Sequence, residues 1–171
     1  MKEIAVYYTK KEGRVATDNV WGVPPWRTLH RFDGPALIYK DNNGVLLEEY
    51  WIQNGRTHRI GAPAVIEYFS NGKKYEESWF VNDELHRMEG PAITCWYRTG
   101  QIAHKQWYQN NCLHRIDGPA YIKYKSGQIK ETRWCLHGEE LPFYEVENWI
   151  EENKIDVATK KGQFEFMLRW S

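Results

Sequence analysis

Neither sign of charge prevails in this chain: Lys plus Arg number 23 and Asp plus Glu number 23 among 171 residues. Without a net positive field the chain lacks the general means of neutralising a phosphate backbone, so nucleic acid is an unlikely partner beyond a local basic stripe. No run of about 18 apolar residues is present, which excludes a spanning helix, and Met1-Lys2-Glu3-Ile4 opens no secretory signal. The expectation is a cytoplasmic protein that does not insert into a membrane. Cysteine is scarce. Cys95, Cys112 and Cys135 are an odd number, which argues against a disulfide framework and for idle or buried thiols. Catalytic signatures are missing as well: there is no Gly-x-Ser-x-Gly, no His-Glu-x-x-His and no phosphate-cradling glycine loop. The expectation is no enzyme, no catalytic residues, no metal and no cofactor.

What the chain does have is aromatic residues, 15% of the total with nine Trp, and a phrase that returns every 28 residues. His30-Arg31-Phe32-Asp33-Gly34-Pro35-Ala36 recurs from His58 to Ala64, His86 to Ala92 and His114 to Ala120. Each phrase leads into a short apolar run, then a turn glycine (Gly44, Gly72, Gly100, Gly127), a second run and a tryptophan (Trp51, Trp79, Trp107, Trp134). A second turn closes the unit at Asn54-Gly55, Asn82-Asp83, Asn110-Asn111 and His137-Gly138. The last unit is one residue short before its glycine. Self-similarity at fixed period marks a repeat architecture.

Gly or Pro every few residues excludes a helix here, while aromatic and β-branched runs bounded by Asn-Gly-like dipeptides spell β-hairpins. Ala36, Ile38, Ala64, Ile66, Tyr68, Ala92, Thr94, Trp96, Ala120, Ile122 and Tyr124 alternate along their strands and define one small or apolar face. A lone hairpin cannot bury that face, so the units must stack. The expected fold is mainly β: an elongated antiparallel meander of about eight strands, with the tryptophans as a ladder along one face. Residues 1–25 read as an N-terminal capping hairpin, residues 26–141 as the four repeats, and residues 142–171 as a C-terminal cap. In that cap Phe143, Val146, Trp149 and Ile150 fall at helical spacing, and Phe164, Phe166, Leu168 and Trp170 at the period-2 spacing of a final strand that would seal the sheet edge. The acidic helix could alternatively be a docking surface.

The Gly-led turns, the aromatic in the second strand and the Asn-Gly-x-x-His segment, as in Asn54-Gly55-Arg56-Thr57-His58, resemble the MORN repeat, in the longer form associated with bacterial antitoxin-like and large-phage proteins. The unit is longer than the usual MORN unit and has Arg31, Arg59, Arg87 and Arg115 where that unit has Gly. The resemblance implies a β-hairpin repeat used for protein contacts or scaffolding, with no catalytic residues to carry over. For a phage-encoded chain it extends to an inhibitor or adaptor of a factor in the host cytoplasm.

Equivalent histidines in such a meander stand two strands apart, roughly 9–10 Å, too far to share one zinc. The structural expectation is that each His-Arg-x-Asp caps a turn between hairpins. Cys112-x-His114 and Cys135-x-His137 are the ligand-like pairs, at unlike repeat positions. Gly61 replaces the acid found at Asp33, Glu89 and Asp117, which would leave Arg59 freer to meet something external. Arg59, Tyr50, Trp51, Trp79, Trp107, Tyr108 and Trp134 are the candidate binding residues, since Trp, Tyr and Arg dominate binding hot spots. The tryptophans have an alternative role in the core. The functional expectation is therefore a protein–protein interaction module, with a possible homo-oligomer. The alternative is a binder of a nucleotide or sugar between the aromatic and Arg rows.

Overall fold

The computed structural model describes residues 4–9, 13–17 and 26–171, with side chains from residue 27 onward. The described residues form eighteen strands, a 3-10 turn at Trp26–Thr28 and, at the end, two α-helices. A first hairpin, β1 (Ile4–Thr9) and β2 (Gly13–Thr17), is followed by four units of one long and one short hairpin. The long hairpins are β3 (Leu37–Lys40) with β4 (Leu46–Tyr50), β7 (Val65–Tyr68) with β8 (Lys74–Ser78), β11 (Ile93–Trp96) with β12 (Ile102–Gln106), and β15 (Tyr121–Lys125) with β16 (Gln128–Arg133). The short ones have two residues per strand: β5 (Ile52–Gln53) with β6 (Arg56–Thr57), β9 (Phe80–Val81) with β10 (Glu84–Leu85), β13 (Tyr108–Gln109) with β14 (Cys112–Leu113), and β17 (Cys135–Leu136) with β18 (Glu139–Glu140).

The long hairpins and the first hairpin form one antiparallel ten-stranded sheet in the order β16-β15-β12-β11-β8-β7-β4-β3-β1-β2. The repeat is faithful enough that a bulge recurs at the same place in each unit, between Tyr39 and Lys40, Glu67 and Tyr68, Cys95 and Trp96, and Lys123 and Tyr124. The short hairpins turn on two consecutive residues of positive φ, such as Asn54 (54°) with Gly55 (74°) and Asn110 (50°) with Asn111 (63°). That is the geometry Asn-Gly-type pairs accept and that matches strand twist. The residue missing from the last unit converts its long-hairpin turn to the same kind, Ser126 (53°) with Gly127 (78°).

Successive short hairpins are themselves joined. The Arg59 N–H donates to the Phe80 carbonyl (3.3 Å) and the Asp83 N–H to Thr57 (2.9 Å). Arg87 to Tyr108, Asn111 to Leu85, Arg115 to Cys135 and Gly138 to Leu113 repeat the pattern. Each unit thus feeds two strands to the main sheet and two short strands to a second ribbon, and the tryptophan is the corner between them. Ala36, Ala64, Ala92 and Ala120, just before each unit's first long strand, are fully buried. Leu29, Ala36, Leu37 and Ile52 form a core at the first unit.

The C-terminal cap differs from the sequence expectation. Residues 143–152 are helical as expected, in α1 (Phe143–Glu152), but Phe164 to Trp170 lie in a second helix, α2 (Lys160–Trp170), where a strand was expected. Thr159 caps α2, its hydroxyl accepting from the Gly162 N–H at 3.1 Å. The core it completes selects Gly162 and Phe166 for burial, a helical i, i+4 pair, and leaves Phe164 and Leu168 outside. With no strand there, β16 remains an edge of the sheet. Neither helix is long and apolar enough to cross a membrane.

Candidate functional site

The repeated phrase does its work inside the array. Arg59 lies over the Trp51 ring at 3.8 Å, Arg87 over Trp79 at 3.8 Å and Arg115 over Trp107 at 3.9 Å. Each guanidinium also donates through Nη1 to the carbonyl of the phrase's own proline: Arg31 to Pro35 (3.4 Å), and Arg59 to Pro63, Arg87 to Pro91 and Arg115 to Pro119 (each 3.1 Å). In three phrases a glycine before the proline leaves room for it, and a Cβ on Gly34 would stand 2.6 Å from the Arg31 guanidinium carbon; the second phrase holds Ala62 there and keeps the bond. At Arg59, Arg87 and Arg115 cation–π stacking and a charge-assisted hydrogen bond together make the arginine a fixed brace.

The histidines hold the turns. The Nδ1 accepts a backbone N–H from the short-hairpin turn that follows, Asn54 to His30 (2.9 Å), Asn82 to His58 (3.2 Å) and His137 to His114 (3.2 Å), and His86 Nδ1 meets Asn110 at both its N–H (3.3 Å) and its Oδ1 (2.9 Å). The sequence placed a turn cap in this motif, with the acid accepting either from turn N–H groups or from the arginine; the histidine makes the cap, and two of the acids pair with arginine, Asp33 with Arg31 (2.9 Å) and Asp117 with Arg115 (2.7 Å). Beside Arg31 the Asp33 carboxyl is held below the usual carboxylate range, first by that hydrogen bond. Among the described residues Arg59 and Arg87 make no salt bridge: Gly61 stands where the acid would be, and Glu89 is not within ion-pair reach. Burial lowers both guanidinium pKa values, which still leaves an arginine charged.

The other expected binding residues lie in or beside this brace. Trp51, Trp79 and Trp107 are half-buried under arginine, and Trp134 is buried. Tyr50 donates to Glu48 Oε2 (2.7 Å) and Tyr108 to Gln106 Oε1 (3.0 Å). Of the two Cys-x-His pairs, the structure brings His114 and His137 together, ring centroids 4.5 Å apart. Among the described residues no three or more His, Cys, Asp or Glu are placed to hold a metal ion.

Besides side chains of the cap such as Tyr144, Phe164 and Leu168, the third residue of the phrase is exposed in three units. Phe32, Ile60 and Met88 are 73%, 85% and 72% exposed. Their fourth counterpart, Ile116, is half-buried against the C-terminal core of Trp134, Leu136, Val146 and Phe166. Between Ile60 and Met88 runs an open groove of about 450 Å³, walled by Val81 and Trp79 and reached by Arg59 and Arg87. The counterpart groove one unit on, between Met88 and Ile116, is about 230 Å³ and is bounded by Gln163 of α2. Trp134 has no following arginine, because Pro142 stands in that place. Phe166 packs on it at 5.2 Å and Glu147 of α1 accepts its Nε1–H at 2.6 Å. The helices therefore substitute for the next repeat.

A second feature escaped the sequence reading. Opposed residues across the main sheet form one row, Tyr39, Glu48, Glu67, Glu76, Cys95, His104, Lys123 and Glu131. Cross-strand partners share a face, so three carboxylates stand side by side. Burial raises the Glu67 pKa, with Glu76 and Glu48 adding to it. Glu76 is served by the Ser78 hydroxyl (2.6 Å) and the Cys95 thiol (3.1 Å), and burial pushes that thiol far up, away from the reactive thiolate. The signal was present: Glu48, Glu76 and His104 are 28 apart, as are Tyr39, Glu67, Cys95 and Lys123. Placing the two sets opposite one another required the hairpin register.

No family model matches the chain, and neither a curated protein nor a solved structure matches it.

Proposed function

We propose that this protein is a non-enzymatic interaction module that binds another protein through the row Phe32, Ile60 and Met88 and the arginine-braced groove beside it. The observation that carries this reading is the exposure of three large apolar side chains at one repeat position, on a backbone that hydrogen bonds and stacked rings hold rigid. Scattered apolar exposure needs no explanation, but a periodic row on a fixed scaffold is a contact surface. The tryptophans supply the bracing beneath it. The MORN resemblance points the same way, toward protein contacts, and extends to an inhibitor or adaptor of a host factor.

The test is co-purification from the native cell of the tagged chain and of its Phe32→Ser, Ile60→Ser, Met88→Ser triple variant. All three side chains are exposed, so the variant should fold, as circular dichroism would verify. Loss of a stoichiometric protein on substitution supports the module; an unchanged set of retained proteins sinks it. The small-ligand alternative has one observation in its favour, the open groove itself. Against it, arginine already covers a face of Trp51, Trp79 and Trp107 where a base or sugar would stack. A ligand panel that raises the melting temperature would favour it.

A further inference from the structure

Resting on that reading, we infer that the groove between Ile60 and Met88 takes an acidic amphipathic helix of the partner protein, laid along the apolar row as this chain's own helices are laid against Ile116. The first ground is internal equivalence. Advancing the open groove by one 28-residue unit gives the groove between Met88 and Ile116, and there the fold itself shows what covers the position: α2 contributes Gln163 to the wall, and the cluster containing Phe166 of α2 and Val146 of α1 packs against Ile116. The phrase position that the helices cover at Ile116 is left exposed at Met88, Ile60 and Phe32.

The second ground is spacing. Units recur every two strands, about 10 Å, and a helix rises about 10.5 Å per seven residues. A helix lying across the units therefore offers one apolar side chain per heptad to each of Phe32, Ile60 and Met88, and about fifteen residues suffice to reach all three. The third ground is charge. Arg59 and Arg87 are the phrase arginines with no salt bridge among the described residues, and both reach the same groove, where the one carboxylate, Glu89, lies beyond ion-pair distance of either; Arg31 and Arg115 at its flanks have Asp33 and Asp117. Gly61 is the reason for Arg59, and nothing lies within 4 Å of where its Cβ would be. Carboxylates on the arriving helix supply what the second phrase omits. At the end of the array a helix carboxylate already meets the ribbon, Glu147 of α1 accepting the indole N–H of the repeat tryptophan Trp134.

The probe is a synthetic eighteen-residue alanine-based helix with leucine at heptad spacing and glutamate flanking the leucines, set against the same peptide with lysine for glutamate. Fluorescence polarisation with the full chain should show the acidic peptide binding at least about tenfold more tightly than the basic one. Ile60→Ser and Met88→Ser should each weaken it by about fivefold or more. Gly61→Asp, which restores the acid beside Arg59, should weaken it several-fold more than Gly61→Asn, which bears the same positive-φ strain without charge. Equal affinity for the two peptides, or no binding of the acidic one, overturns the inference. So does a chain that sediments as a dimer the peptide cannot dissociate, because a second copy then holds the groove. If the triple serine variant loses its co-purifying partner while the acidic peptide fails, the interaction module stands and only the helix is wrong; if the partner is retained, both fall.

Discussion

At the scale of single residues the array is held by contacts that use a side chain's full chemistry. Arg87 stacks on Trp79 and donates to Pro91; lysine offers neither a flat face nor a fork. Arg87→Lys should therefore destabilise the chain by roughly 1–2 kcal/mol, read as a lower urea midpoint with unchanged slope. Histidine sets a pH dependence. Burial lowers the His114 pKa, with His137 adding to it, so the folded chain prefers the neutral ring whose Nδ1 accepts from His137. The unfolded chain takes up the proton first as pH falls, so this stabilisation is complete above the unfolded value of about 6.5 and declines as pH drops through it. His104, lowered first by burial, acts in the same direction. Melting temperature should fall between pH 7.5 and 5.5, and less steeply in His114→Gln. Glu67 runs the other way: its raised pKa means the ionised form is disfavoured in the fold at neutral pH. Glu67→Gln should raise stability at pH 7 by on the order of 1 kcal/mol, a gain that shrinks as pH falls through the unfolded value of about 4.3 and is absent about a unit or more below it, where the unfolded chain is also protonated.

Among the elements, hairpins were legible in the sequence and the cap was not. Strands repeat, so each copy corroborates the others, and the residue pairs Asn54-Gly55 and Asn110-Asn111 announce their turns locally. What the copies could not reveal is that the chain turns a corner at Trp51, Trp79, Trp107 and Trp134, because Tyr50 and Ile52 read as one continuous strand. That also explains why the tryptophans, expected as a ladder on one face of a single sheet, instead sit at the junction of two ribbons. The candidate contact residues were chosen for type, and Phe32, Ile60 and Met88 were passed over because only exposure distinguishes them. For residues 164–170 both periods fit the apolar residues; burial of Gly162 decides for the helix, and that rests on tertiary contact. A Cβ at Gly162 would meet the Asp156 carbonyl oxygen at 2.0 Å. Gly162→Ala should thus cost more than the roughly 1 kcal/mol expected of Thr159→Ala at the N-cap, and hydrogen exchange should show α2 opening ahead of the main sheet.

For the molecule as a whole, stability is close to a sum over units and the interfaces between them. The ends are treated unequally: the second ribbon finishes under α1 and α2, whereas β16 keeps an open edge. Deleting residues 142–171 would strip Trp134 and Leu136 of their cover, and light scattering should show the truncated chain associating more than the full chain at equal concentration.

The corner at each tryptophan has one more consequence. Because every unit advances both ribbons by the same two strands, the chain is a ruler whose graduations are all alike. The single irregularity in its stride, the residue absent before Gly127, falls at a hairpin tip with open space around it, so the markings on the Arg–Trp side stay true. Length in such a molecule is a heritable quantity: gaining or losing 28 residues moves one end by about 10 Å and preserves the backbone pairing by which units join.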